Sequence, residues 1–461
     1  MFPDRFIQRI RTQEYIDADG LLHSLKEASP VSIRINDSKW SRKPHSSKSV
    51  PWCTTGYWLG SRPSFTLDPL FHAGCYYPQE ASGMFLEQIF KQVTGDGNAY
   101  IRVLDLCGAP GGKSTHLASL LGSNGLLVSN EVIRTRASVL AENITKWGAS
   151  NSMVTQSDPS AFSGLEGFFD LILVDAPCSG EGMFRNTVAV NEWSEENTNH
   201  CSERQRRILT DIWPALKEDG ILIYSTCTFN PGENEANIKW LVSSHQAKCV
   251  ELDVSEYAGI TEIDHQGIKG YGFYPGRIKG EGLFVSVIRK TGFSARKNPV
   301  ARRNQGKELQ RSDLAIVKEW TNFTPDKIFR LGDEIYYSPA SHEDYTMIES
   351  RLKLIRPGIR ICSVKKNGFI PAHELSLSEG LRRDAFDRWG LEYDQAISYL
   401  RRDTLRPPDV SKGWIVAEYE DVGLGFCNNI GSRINNYYPV EWRIRMSITK
   451  PGVKDIILWD N

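Results

Sequence analysis

Apolar residues along the middle of the chain come in two alternating patterns. Short continuous runs at Tyr100–Cys107, Gly125–Glu131, Phe168–Pro177 and Gly220–Cys227 are bounded by Gly, Pro or acidic residues, which predicts buried strands. Between them, Lys113–Leu121, Arg134–Gly148 and Cys201–Leu216 repeat apolar positions every three or four residues, which predicts helices packed on one face. Strands and helices in alternation predict a doubly wound α/β sheet of Rossmann-like type, with Glu281–Lys290 as its last strand. Upstream, Ser29–Asn36 reads as a strand of a small α+β module, and Tyr77–Val93 has helical spacing. Downstream, Gly413–Tyr419, Gly423–Asn429 and Trp442–Ile448 read as strands of a C-terminal module. Four parts are expected: 1–75, 76–292, a basic linker and intermediate region over 293–375, and 376–461.

Composition changes this picture little. The 461 residues are 40% hydrophobic and 24% charged, as in ordinary multi-domain globular proteins. No run approaches the roughly 18 apolar residues of a membrane helix, and the N-terminus has no signal-peptide core, so a cytoplasmic protein is expected. Nine cysteines without a C-x-x-C pair argue against a disulfide framework or a zinc site, and no metal is expected. A net charge of −1 predicts no general affinity for nucleic acid, but its distribution is uneven. Arg289–Arg311 holds eight Lys/Arg against one Glu, and Lys39–Lys48 is a smaller basic stretch. Such segments are either solvated linkers or phosphate contacts.

The candidate chemistry lies at the ends of the predicted strands. Asp105-Leu-Cys-Gly-Ala-Pro-Gly-Gly-Lys-Ser is a Gly-rich turn between strand and helix, where backbone N–H groups can approach a ligand. It misses the P-loop pattern, whose first glycine would fall on Cys107, and the G-x-G-x-x-G dinucleotide pattern. It fits an S-adenosylmethionine loop, with Glu131 at the next strand end for the ribose hydroxyls and Asp158 after the third for the adenine amino group. Either acid alone could be a helix cap or turn residue. The fourth and fifth strands deliver Asp175-Ala-Pro-Cys178 and Ser225-Thr-Cys227-Thr to the same rim. A lone strand-end cysteine is most often an inert buried thiol. Two at adjacent tips beside a methyl donor suit methylation of a pyrimidine at carbon 5, which needs a thiolate adding to carbon 6, a carboxyl group near the ring nitrogen, and a base for the carbon 5 proton. Asp175 is the nearest carboxyl candidate.

Asp105–Leu117, Asp175–Arg185 and Tyr224–Glu235 resemble the RNA cytosine-5 methyltransferases of the Sun/NOL/NOP2 type, and Gly74–Met84 and Tyr274–Phe284 resemble their flanking motifs. The likeness spans roughly residues 30 to 292, and the paired D-A-P-C and T-C-T motifs are its most specific part. The resemblance implies that Cys227 is the nucleophile, that Cys178 assists release, and that Lys113 and Asp175 contribute to the site. It implies cofactor contacts from Cys107, Gly108, Ala109, Pro110, Gly111, Gly112, Lys113, Glu131, Arg136, Asp158, Asp175 and Pro177. Gly108 stands where alanine is common, a difference expected to be neutral. Gly423–Arg445 looks like the PUA-like tail of the RsmF branch, bacterial 16S rRNA methyltransferases, although Gly425-Phe-Cys-Asn lacks the lysine of that branch's G-W-x-K. The expected cofactor is S-adenosylmethionine, the expected partner 16S rRNA or the small ribosomal subunit, and the expected state a monomer. Two other readings fit part of the sequence: a non-catalytic RNA-binding assembly factor, and a DNA cytosine methyltransferase in which Cys178 would attack. The acids of Asn230–Glu235 are given no catalytic role.

Overall fold

The computed structural model describes residues 2–95, 99–123, 125–292, 309–407, 409, 411–446 and 455–460. Its centre is a twisted sheet containing β1 (Ile101–Asp105), β2 (Gly125–Asn130), β3 (Ser152–Thr155), β4 (Phe169–Asp175), β5 (Leu216–Thr226), β6 (Thr261–His265), β7 (Ile268–Phe273), β8 (Leu283–Lys290) and β9 (Leu354–Arg356). The spatial order is β6-β7-β8-β5-β4-β1-β2-β3-β9, and Ala247–Cys249 pairs with β8. Strands β1 to β5 run parallel and β8 runs antiparallel to β5. This is the doubly wound Rossmann-like arrangement that the alternation predicts.

Alternate residues of each parallel strand enter two cores. Leu104, Val128, Ile172 and Leu222 face one, with Ile208, Leu209, Ile238 and Leu241 from helices α3 (Glu195–Ile212) and α4 (Glu235–Ser244). Val103, Leu127, Leu173 and Ile223 face the other, with Leu117 and Leu121 from α1 (Gly112–Leu121) and Ile89 and Phe90 from Leu86–Thr94. Burial on both faces explains why these strands read as unbroken apolar runs. Removing each such side chain from water stabilises the sheet by about 1.5–3 kcal/mol.

Several expectations are corrected. Leu283–Lys290 is not the last strand: two antiparallel strands lie beyond it, and β9, from far downstream, extends the opposite edge by pairing with β3. Edge additions of this kind follow from available hydrogen-bonding groups, which leave little mark on local periodicity. Helical spacing over Tyr77–Val93 is realised only from Leu86, because Tyr76–Pro78 pairs with Val31–Ile35 and Ser82–Phe85 is a 3-10 turn. Trp442–Met446 is not a strand, although Gly413–Tyr419 and Val422–Asn429 are. The basic stretch Arg289–Arg311 lies mostly outside the described residues, which omit 293–308. No helix among the described residues is long and apolar enough to cross a membrane.

Three smaller four-stranded sheets flank the centre, built from Val31–Pro78, Ile328–Pro371 and Asp387–Asn436. The first and third share one apolar core, in which Ile33, Trp40 and Tyr57 pack with Trp389, Ile397 and Tyr438.

Candidate active site

Strand β1 ends at Asp105, and the Gly-rich turn leads into α1 through Gly111, whose φ of +121° a side chain would strain. Ser114 Oγ donates to Asp105 Oδ2 at 2.6 Å, tying the strand end to the first turn of α1. Burial pushes the Asp105 carboxyl up to about 7, against the hydrogen bond from Ser114. Gly108 N–H donates to the Asn130 carbonyl at 2.8 Å. A Cβ at Gly108 would lie 2.7 Å from Ser114 Oγ and 3.3 Å from Asp105 Oδ2, so the position is not neutral toward alanine as expected. Cys107 is half-buried, and burial raises its thiol, which suits a backbone contact better than chemistry.

The turn is also held from outside its own strand and helix. Arg34 is wholly buried; it donates to Thr115 Oγ1 at 2.7 Å and Gln79 Oε1 at 2.8 Å, and its guanidinium lies over Trp147 at 4.3 Å. Thr115 Oγ1 in turn donates to the Gly111 carbonyl at 2.8 Å. The alternation of Ile33 and Ile35 would put Ser32, Arg34 and Asn36 on a solvent face; instead all three are buried. Sequence reasoning missed Arg34 because a polar strand face looks the same whether it meets water or another domain.

On the β2 side, Glu131 is buried at the strand end. Its Oε1 accepts from Ile133 N–H at 3.1 Å, and its Oε2 lies 3.4 Å from Arg136, which also donates to the Ala109 carbonyl at 3.0 Å. Pro110 is exposed, and Asn143 of α2 (Arg134–Trp147) donates to its carbonyl at 2.8 Å. Asp158 is half-exposed and caps Pro159–Gly164; both the N–H and the hydroxyl of Ser160 bond its Oδ1, which lowers its carboxyl. Asn130, absent from the sequence-based set, staples the rim by bonding Thr155, Ser157 and the Leu106 carbonyl.

The thiols meet on the other side. Parallel pairing sets Asp175 beside Ser225, so the two loops leave neighbouring strands together. Cys178 Sγ and Cys227 Sγ lie 2.8 Å apart, both half-buried, and Cys227 N–H donates to Cys178 Sγ at 3.2 Å. The hydrogen bond with Cys227, then burial and the neighbouring charges, holds the Cys178 thiol well above its ordinary range. Asp175 accepts from Lys113 Nζ at 2.8 Å and from Ser225 Oγ at 2.7 Å. Burial works to lower the Lys113 ammonium, but the Asp175 charge and hydrogen bond leave it raised and charged. Pro177 is half-buried between the strand end and Cys178, and its carbonyl accepts from Gln205 at 3.0 Å. One cleft rim thus holds a paired cation and carboxylate beside two touching thiols. That arrangement can present a sulfur nucleophile, with a second thiol to carry a proton.

The acids given no role, Glu233 and Glu235, prove to be buried here, and so does Glu181 on the Cys178 loop, for which no role was read. Their sequence signal was weak, because Gly- and Pro-rich loops usually carry solvated acids. Elsewhere among the described residues, Cys53, Glu87 and His116 place metal-capable donors together. That carboxylate already lies 2.6 Å from Lys91 Nζ, and buried Arg34 adds positive charge nearby, so the group reads as an internal polar network.

Comparisons with known proteins agree with this organisation. The family described as 16S rRNA methyltransferase RsmB/F matches residues 96–289. The N-terminal domain of 16S rRNA methyltransferase RsmF matches 2–81, and the methyltransferase RsmF PUA domain matches 388–444. Ribosomal RNA small subunit methyltransferase F of Enterobacter sp. (strain 638) is 30% identical over 480 residues, covering 95% of each chain. The protein of the same name from Photobacterium profundum is 30% identical over 479 residues, covering 95% of this chain and 96% of its own. Among solved structures, a methyltransferase homolog from Pyrococcus horikoshii is 28% identical with a TM-score of 0.52, over 63% of this chain and 95% of that one. NSun6 from Pyrococcus horikoshii with SFG, 20% identical, shares the fold at a TM-score of 0.51 over 63% of this chain and 99% of its own.

Proposed function

Because this chain belongs to the ribosomal RNA small subunit methyltransferase F family, we propose that it uses S-adenosylmethionine to methylate carbon 5 of a cytosine in 16S rRNA. The observation that carries the reading is the contact of Cys178 and Cys227 at 2.8 Å beside the Lys113–Asp175 pair.

The residues at the rim fit the cofactor. A buried carboxylate, Glu131, stands at the β2 end, the N–H groups of the turn precede α1, and Asp105 Oδ1 is buried without a hydrogen-bond partner among the described residues. Glu131 would hold the ribose hydroxyls and Asp158 the adenine amino group. Residues Cys107 to Lys113 would hold the amino-acid tail, with Arg136, Asp175 and Pro177 bordering it. Bound there, the cofactor supplies an electrophilic methyl group.

The chain's own groups then act in order. Cys227 gives up its proton to water and its sulfur bonds to carbon 6, which makes carbon 5 nucleophilic. Asp175, gripped by Lys113 and Ser225, stabilises the adduct at the ring nitrogen. After methyl transfer, Cys178 takes the carbon 5 proton and the bond from carbon 6 to Cys227 breaks. The thiol contact suits this sequence. Once Cys227 is bonded to carbon, it no longer carries the charge and hydrogen bond that raise the Cys178 thiol, so Cys178 loses its own proton to water more readily and, as a thiolate, can accept the carbon 5 proton.

Two variants test this with rRNA and methyl donor. Cys178→Ala should accumulate a covalent protein–RNA species on denaturing gels, and Cys227→Ala should form none and lose methyl transfer. The opposite pattern would exchange the roles of the thiols, and tritium transfer from labelled donor to DNA rather than rRNA would refute the substrate.

A further inference from the structure

An acid on each cysteine loop bonds the backbone of the other loop. Glu181, three residues after Cys178, is wholly buried, and its Oε2 accepts the N–H of Phe229, two residues after Cys227, at 3.2 Å. Glu233, on the Cys227 loop, is also wholly buried; its Oε2 accepts Ser179 N–H at 3.0 Å and its Oε1 accepts Ser179 Oγ at 2.5 Å. Each loop therefore grips the backbone of the other next to its cysteine. Between the grips, Gly182 N–H donates to the Cys227 carbonyl at 2.9 Å. Gly182 and Gly282 pack so closely that a Cβ on Gly182 would lie 2.6 Å from the Gly282 carbonyl oxygen, which leaves little room for the loops to drift.

Burying a carboxylate costs several kcal/mol unless other groups satisfy it, so two in one place call for a reason. Gln205 donates to Glu233 Oε2 at 3.0 Å and also to the Pro177 carbonyl at 3.0 Å, extending that grip to the start of the Cys178 loop. Glu181 Oε1 accepts from Trp193 Nε1 at 2.8 Å and lies 2.6 Å from a guanidinium nitrogen of Arg9. Arg9 sits on the N-terminal helix Asp4–Thr12, outside the catalytic sheet. A second tie runs alongside, where Tyr15 donates to Glu235 at 2.7 Å.

We propose that Glu181 and Glu233 are positioning residues for methyl transfer, a reciprocal pair of carboxylate clamps that hold Cys178 against Cys227, with Arg9 paired to the Glu181 clamp. The N-terminal helix is thereby a working part of the active site as well as a neighbour of it. The proposal rests on the reading of Cys227 and Cys178 as the reacting pair.

The test uses the full-length protein and two readouts. The first is oxidation by diamide, which takes two hydrogens from neighbouring thiols and leaves a disulfide; its rate at Cys178–Cys227, followed by mass spectrometry, reports the contact with no need for turnover. The second is steady-state kinetics with rRNA. In Glu181→Gln and Glu233→Gln, disulfide formation should slow about tenfold or more. kcat should fall about 10- to 100-fold with the KM for S-adenosylmethionine within about twofold, because the cofactor turn is held elsewhere by Ser114 and Arg34. Arg9→Lys, which keeps a cation there, should lose less in both readouts than Arg9→Met. Arg9→Met should resemble Glu181→Gln, and the double variant should be no worse than Arg9→Met, because it removes the uncompensated buried charge. Folded variants, judged by circular dichroism, that crosslink and turn over at wild-type rates would overturn the clamps. Slowed crosslinking in variants of a wild type that methylates no rRNA would leave the clamps standing and remove the proposed reaction.

Discussion

The two sides of the active-site rim are built differently. On the cofactor side, the acids bond near neighbours in the chain: Glu131 meets Ile133 N–H and Arg136, Asp158 meets Ser160, and one oxygen of Asp105 meets Ser114. On the thiol side, the partners come from distant segments: Glu233 meets Ser179 and Gln205, Glu181 meets Phe229 and Arg9, and Asp175 meets Lys113 and Ser225. Each acid of the first side finds a partner in its own turn or the helix that follows, although Arg34 braces the Gly-rich turn from outside. The second exists only when several segments have docked. A cofactor with a fixed shape can be held by a local turn, whereas two thiols proposed to act on one ring must be placed relative to each other, and hydrogen bonds between the two loops do this.

Lys113 spans the two sides, so Lys113→Met should have the largest effect. Losing the cation frees Asp175 and leaves its carboxylate unpaired. kcat should fall by about 10²–10⁴-fold, the range for groups that manage proton and charge at the reacting centre. Single-turnover methyl transfer to rRNA measures it, and a change confined to the KM for the donor would place Lys113 wholly on the cofactor side.

A smaller effect separates Glu131 from Asp158. Glu131 is buried, so Glu131→Gln should weaken S-adenosylmethionine binding by about 10- to 100-fold, from hydrogen bonds to a charged group worth about 1.5–3 kcal/mol. Asp158 is half-exposed and already engaged with Ser160, so Asp158→Asn should change affinity only about twofold. Calorimetric titration compares them, and equal losses would make both acids cofactor ligands of the same kind.

The last effect is on stability rather than on rate or affinity. The Asp105 carboxyl is pushed up to about 7 in the folded protein by burial and titrates near 3.9 when unfolded. Between those values the folded state holds a proton that the unfolded chain has released. Stability should therefore fall as pH rises from about 4 to about 7 and level off above it. Asp105→Asn should flatten that part of the wild-type dependence in urea unfolding series, and an unchanged slope would show that the buried charge is compensated.

Much of this was legible in local pattern. Strand and helix alternation, the Gly-rich turn, and the strand-end positions of Glu131, Cys178 and Cys227 all depend on a few consecutive residues and their periodicity. What stayed hidden has no such signature. Arg34 reads as one polar residue on an alternating strand, yet it lies at 0% exposure under the cofactor turn. Glu181 and Glu233 look like solvated loop acids. Gly108 looks interchangeable with alanine until Ser114 is seen 2.7 Å from where a Cβ would stand. Strand β9 joins the central sheet from the far side of the basic linker, pairing with β3 while Arg356 bonds the Ser152 carbonyl.

The chain by itself determined which atoms could react and on which rim they would stand, because strand ends, turns and helix starts are written in short-range sequence. Only the tertiary structure decided that the two sulfurs touch, which buried acids bond the two loops together, and that Arg9 of the helix Asp4–Thr12 meets Glu181. Those outcomes depend on buried polar groups finding partners across long separations, and the penalty for leaving such groups unpaired, rather than any local preference, selects the arrangement.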